Sequence, residues 1–93
     1  MTSFTVRVEL HSATYLDYET LHSKMAGQGF SRQITSDSGY TYQLPTAEYN
    51  ISTDASRSEV LGQAKSAVKA TNKTGAVLVT ESTGRTWDGL TLV

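Results

Sequence analysis

The chain has 93 residues, 38% hydrophobic and 18% charged, a mix that fits one small folded domain and excludes wholesale disorder. Eight basic residues stand against nine acidic ones, so nucleic-acid binding through bulk positive charge is excluded, and no DNA partner is expected. The absence of cysteine removes disulfide and thiolate–metal frameworks and fits a reducing compartment.

The opening MTSFTVRVELH lacks the basic and apolar regions of a signal peptide. No apolar run reaches the roughly twenty residues needed to cross a bilayer, so a cytoplasmic location without membrane insertion is expected. From Phe4 to His11 the residues alternate strictly. Phe4, Val6, Val8 and Leu10 take one side, and Thr5, Arg7, Glu9 and His11 the other, the pattern of a half-buried strand.

SATYLDYETLHSKMAGQGF follows as a helix. Ser12 or Thr14 can cap it, and Asp17 stands three residues after Thr14 as in a capping box. Tyr18, Leu21 and Met25 make the apolar side, flanked by Tyr15 and His22, and Gly27 and Gly29 offer the positive φ that ends a helix. Phe30 returns the chain to the core. Ser31 to Ser36 reads as a strand, Asp37-Ser38-Gly39 as a turn, and Tyr40 to Leu44 as the antiparallel return.

Tyr40, Tyr42 and Leu44 share one parity, and Ala47, Tyr49 and Ile51 the other. One continuous strand cannot bury both sets on the same face, and Pro45 between them marks a break or bulge. Tyr49 and Ile51 are therefore expected in the core, and Tyr40 and Tyr42 on a projecting, partly covered hairpin.

Ser56 and Glu59 open a second helix with an S-x-x-E capping box. Val60, Ala64, Ala67 and Val68 form its apolar stripe, widened by Leu61, with Lys65, Lys69 and Lys73 opposite. Asn72 and Gly75 end it. Ala76 to Glu81 is a strand buried on both sides or a tight edge. Residues 83–93 are a C-terminal extension whose Trp87, Leu90, Leu92 and Val93 are too apolar to be left free, so it is expected to pack or pair.

The order strand, helix, strand, strand, helix, strand predicts one α+β domain over residues 1–93, ferredoxin-like βαββαβ. In that arrangement two helices lie on one face of a four-stranded antiparallel sheet, and Arg7, Glu9 and His11 line the other. Burial of that open face in a partner would enlarge a core that so short a chain builds with difficulty.

Several positions together resemble the GhoS family of small bacterial endoribonucleases that act as antitoxins. They are Tyr15 and Tyr18, Leu21-x-x-x-Met25, Gly29-Phe30-Ser31, Gly39, Gln43-Leu44 and Tyr49-x-Ile51, over roughly residues 4 to 80. That family is in turn similar to the CRISPR-associated ribonucleases with a ferredoxin-like fold. The resemblance implies binding and cleavage of single-stranded RNA, a role in a toxin–antitoxin pair, and a target such as the message for a membrane-active toxin. A homodimer is the expected assembly.

Cleavage through the neighbouring 2′-OH needs a base, an acid for the leaving oxygen and positive charge on the phosphate. Histidine suits the first two roles, and only His11 and His22 are present. His11, Glu9 and Arg7 could serve as base, orienting carboxylate and phosphate clamp. The plainer alternative is a strand-end polar residue and two cross-strand charge partners, as exposed strand ends routinely carry. His22 reads as a packed histidine with one wet edge.

Arg32, Tyr40, Tyr42, Lys65, Lys69 and Lys73 are the candidate RNA contacts, the tyrosines for base stacking and the cations for phosphate. Solvated surface and ordinary strand aromatics are the alternatives for the same residues. No carboxylate or histidine spacing matches a metal site, and Gly27-x-Gly29 lacks the rest of a dinucleotide fingerprint, so no cofactor is expected. The competing function is a non-catalytic module that engages another protein through its open sheet face or edge.

Overall fold

A computed structural model describes every residue from Met1 to Val93. The first strand, β1 (Thr2–Leu10), sits at the centre of a sheet because one side of it is apolar throughout: Phe4, Val6, Val8 and Leu10 are all buried. It pairs antiparallel with β4 (Glu48–Thr53), which sets Val6 opposite Tyr49. On its other side it pairs antiparallel with β5 (Gly75–Ser82), which sets Val6 opposite Val79. β5 is an edge strand. Its apolar run therefore divides by parity, with Val77 and Val79 packed against the core and Leu78 63% exposed.

Helix α1 (Tyr15–Gly27) begins at a complete capping box: the Thr14 hydroxyl accepts from Asp17 N–H and the Asp17 carboxylate accepts from Thr14 N–H. It buries Leu21 and Met25, while the Tyr18 hydroxyl accepts a 3.0 Å bond from Leu10 N–H. Helix α2 (Arg57–Ala70) starts with the same device at Ser56 and Glu59 and buries Val60, Ala64, Ala67 and Val68. These residues join the inward side of β1, Phe30 and Tyr49 in one core, where each fully buried side chain of Val or Leu size contributes about 1.5–3 kcal/mol. The alanines let α2 lie close to the sheet.

The expected four-stranded ferredoxin-like sheet does not form. The structure has two separate three-stranded antiparallel sheets, ordered β4-β1-β5 and β2-β3-β6. The second is built from β2 (Gln33–Thr35), β3 (Thr41–Gln43) and β6 (Thr91–Leu92). The strand expected beside β4 touches it through a single bridge, Ser31 with Asn50, and then peels away. Two features explain this departure. β2 commits to β3, and β3 closes its other edge with β6, so the hairpin is satisfied within its own sheet. The chain also breaks after Leu44, where Pro45 offers no N–H and Ala47 takes φ +70°, which rotates Tyr49 and Ile51 onto the opposite parity.

β6 brings the C-terminal segment back over the side of the first sheet that the helices leave uncovered. There Thr5 of β1 lies opposite Asn50 of β4 and Thr80 of β5. Arg85 Nε donates to Thr5 Oγ1 at 2.9 Å and Nη2 donates to Asn50 Oδ1 at 2.8 Å, so the segment is tied down as a strap. The sequence pattern leaves this face open, whereas the structure partly covers it.

Candidate functional site

Lys65 and Lys69 stand one turn apart on α2, and Lys73 follows in the turn before β5 rather than on the helix itself. The structure brings all three to one groove of about 540 Å³ between α2 and the edge of β5, floored by Val68, Gly75 and Val77. Thr74 belongs to the same groove, and its Oγ1 lies 3.3 Å from His11 Nδ1. A backbone bond from His11 N–H to Thr74 O, 2.8 Å, fixes the histidine at this end. Lys73 Nζ is 3.7 Å from Asp17 and also donates to Ser12 O, so it is the most constrained of the three cations.

His11 lies just past the end of β1 and is exposed. Arg7 and Glu9 are exposed on the side of β1 opposite the core, where Arg7 faces Glu48 and Leu78 and Glu9 faces Ala76. No hydrogen bond or ion pair connects Arg7, Glu9 and His11 to one another. Of these residues, only His11 is hydrogen-bonded to a residue that lines the lysine groove, Thr74, and it does not line the groove itself.

The second histidine occupies a different environment. His22 is half-buried on α1, with Nδ1 2.6 Å from the hydroxyl of Tyr49, a fully buried residue of β4. Burial and then the nearby Arg32 guanidinium depress the His22 pKa, with Glu19 opposing them, so the ring is neutral at pH 7. Burial pushes the Tyr49 phenol well above its ordinary range. Arg32 is half-buried and its Nε, shut off from solvent, has no hydrogen-bond partner. A neutral histidine, a phenol and a guanidinium thus meet where α1 faces β4, a grouping that their sequence separation conceals.

The hairpin separates its two tyrosines. Tyr40 is 60% exposed, a surface on which a base can stack. Tyr42 is half-buried, and its ring meets that of Trp87 edge-on, with centroids 5.4 Å apart and planes at 66°. Sequence reasoning passed over Arg85 and read Trp87 only as part of an apolar tail expected to pack or pair. The available signal was a cation and the sole tryptophan just after the Thr83-Gly84 turn; their meeting with Thr5, Asn50 and Tyr42 depends on the strap's path.

No cluster of three or more histidine, aspartate or glutamate side chains is placed to hold a metal ion. No helix is long and apolar enough to cross a membrane. Comparison with curated proteins gave no match. The family model described as endoribonuclease GhoS matches residues 1–88, nearly the whole chain, and the protein belongs to that family.

Proposed function

We propose that this protein binds single-stranded RNA along the groove of Lys65, Lys69 and Lys73 and cleaves it at the His11 end, as an endoribonuclease with an antitoxin-like role in the cytoplasm. The observation that carries this reading is the convergence of three lysines on one groove whose Thr74 hydroxyl lies 3.3 Å from His11 Nδ1. Family membership supports the reaction class. The chain has a formal charge of only −1, so a local run of lysines is the form that phosphate attraction has to take here.

In this reading the lysines hold successive phosphates, and His11 takes the proton from a ribose 2′-OH. The 2′ oxygen attacks the adjacent phosphorus, the bond to the 5′ oxygen breaks, and that oxygen takes a proton from water as it leaves while His11 returns its own to solvent, giving a 2′,3′-cyclic phosphate and a 5′-hydroxyl end. Lys73 neutralises charge that builds on the phosphoryl oxygens. A second copy pairing along the free edge of β5 from Leu78 to Ser82, beyond the Gly75 and Val77 that line the groove, would make the protein a homodimer with two such grooves.

A second reading puts the base at His22, favoured by its neutral ring beside Arg32. One experiment separates the two. Labelled single-stranded RNA is incubated with the wild-type chain, His11→Ala and His22→Ala, with and without chelator. Loss of about 100-fold in rate is expected for His11→Ala alone. The same loss in His22→Ala alone, with His11→Ala unaffected, moves the chemistry to His22. No binding and no cleavage at low salt overturns the enzyme reading and leaves the protein-interaction module.

A further inference from the structure

A second cleft, of about 520 Å³, lies on the other side of the first sheet, between the strap and the β2–β3 turn. Ser3, Thr35, Ser36, Asp37, Arg85 and Trp87 are among the residues that line it. Its size is that of a small-molecule site, where about 300–1,000 Å³ is usual. Its chemistry is unlike the lysine groove: hydroxyls, one guanidinium, one carboxylate (Asp37) and one indole, with few apolar side chains.

Arg85 is the unusual member. It is half-buried, yet no carboxylate pairs with it. Its two hydrogen bonds go to neutral oxygens, Thr5 Oγ1 and Asn50 Oδ1, which occupy two of the five N–H donors of a guanidinium. A cation drawn partly out of water without a counter-charge is costly, and an anion at the remaining donors would relieve that cost. Burial lowers the Arg85 pKa, in line with the missing counter-charge. The two bonds also fix the plane of the fork, so an oxyanion meets a preset geometry.

Trp87 supplies the complementary half. Tyr42 holds the indole in place while the indole still lines the cleft. An oriented guanidinium, an aromatic plate and hydroxyls within one small cleft match the parts of a nucleotide: phosphate, base and ribose. We infer that the strap cleft is a mononucleotide-binding site, with the phosphate on Arg85 and the base against Trp87, separate from the lysine groove. The choice of a nucleotide over another aromatic phosphate rests on the RNA reading above. Asp37 stands at the cleft and weakens the attraction, which makes it a tuning position.

Trp87 is the only tryptophan, so its fluorescence reports on this site alone. The full chain is titrated with uridine 5′-monophosphate, and in parallel with uridine and with inorganic phosphate. A saturable change is expected with the nucleotide, and binding weaker by about tenfold or more with either part alone. Arg85→Ala should weaken the nucleotide by about tenfold, and Asp37→Asn should tighten it by about twofold. No saturable response to the nucleotide in the folded wild-type chain overturns the site, as does unchanged affinity in Arg85→Ala. Should Arg85→Ala release the strap, seen as shifted Trp87 emission before any ligand is added, Asp37→Asn decides: unchanged or weaker binding there overturns the site. Cleavage that persists without a Trp87 response removes this site only, and a Trp87 response without cleavage removes the enzyme reading only.

Discussion

The hydroxyl of Tyr49 and Nδ1 of His22 lie 2.6 Å apart, and both groups resist ionisation in the folded chain. Their shifts run in opposite directions and bound the pH range of stability from both sides. The His22 pKa is depressed below its ordinary 6.5, so between the folded and unfolded values the unfolded chain binds more protons. Stability is therefore full above pH 6.5 and falls as pH drops through the folded value. The Tyr49 pKa is raised above 10.0, so stability is full below pH 10 and falls as pH rises further. Urea unfolding at a series of pH values should give a plateau with these two shoulders. In His22→Gln the acid shoulder should shrink, leaving the lower-pH loss due to Asp17 and Glu59, whose carboxyl pKa values are held down by the backbone N–H groups of Thr14 and Ser56.

Arg32→Ala removes the second cause of the His22 depression. The imidazole titration followed by NMR should move upward, toward the ordinary value, without reaching it, because burial remains the larger cause. A downward move would mean that the guanidinium does not act on His22.

Tyr49→Phe keeps the buried ring and removes the hydroxyl. A loss of about 1 kcal/mol is expected in chemical denaturation, since the half-buried His22 can replace part of the bond with water.

Two glycines give opposite outcomes. A Cβ on Gly75 would sit 2.7 Å from the backbone oxygen of Glu9, at the β1–β5 pairing, so Gly75→Ala should cost about 1–3 kcal/mol. A Cβ on Gly62 meets nothing within 4 Å in the interior of α2, so Gly62→Ala should stabilise by about 0.5–1 kcal/mol. Thermal melts of the two variants check both signs.

The lysine groove makes a quantitative demand on RNA binding. Replacing Lys65 or Lys69 with alanine should reduce the slope of log affinity against log salt by about 0.7 for each lysine. A slope unchanged in the double variant would remove the groove as the RNA path. Lys73→Ala should change less, because Asp17 already lies 3.7 Å from it.

Local rules read much of this fold correctly. The alternation of β1, both capping boxes, the apolar stripes of the helices and the parity change at Pro45 are each written within a few neighbouring residues, and each appears in the structure. What the sequence hid depends on distant partners. Whether the hairpin extends the main sheet or forms its own depends on β6, some fifty residues away in sequence, taking the free edge of β3. Arg85 cannot be connected with Thr5 and Asn50, nor His22 with Tyr49, without the three-dimensional path. The lysines were legible as a row, but their meeting with His11 came only through Thr74.

Asn50 holds an unusual position. Its backbone makes both bonds of the lone bridge to Ser31, and its side chain receives Arg85. The hairpin and the main sheet thus share a single backbone bridge, at Ser31 and Asn50, while the strap forms a second tether between them. A pivot of the hairpin about that point would stretch or relax the Arg85 anchor, so anything seated under the strap would brake the swing. The amides of Ser31 and Asn50 are where hydrogen exchange would register that brake first.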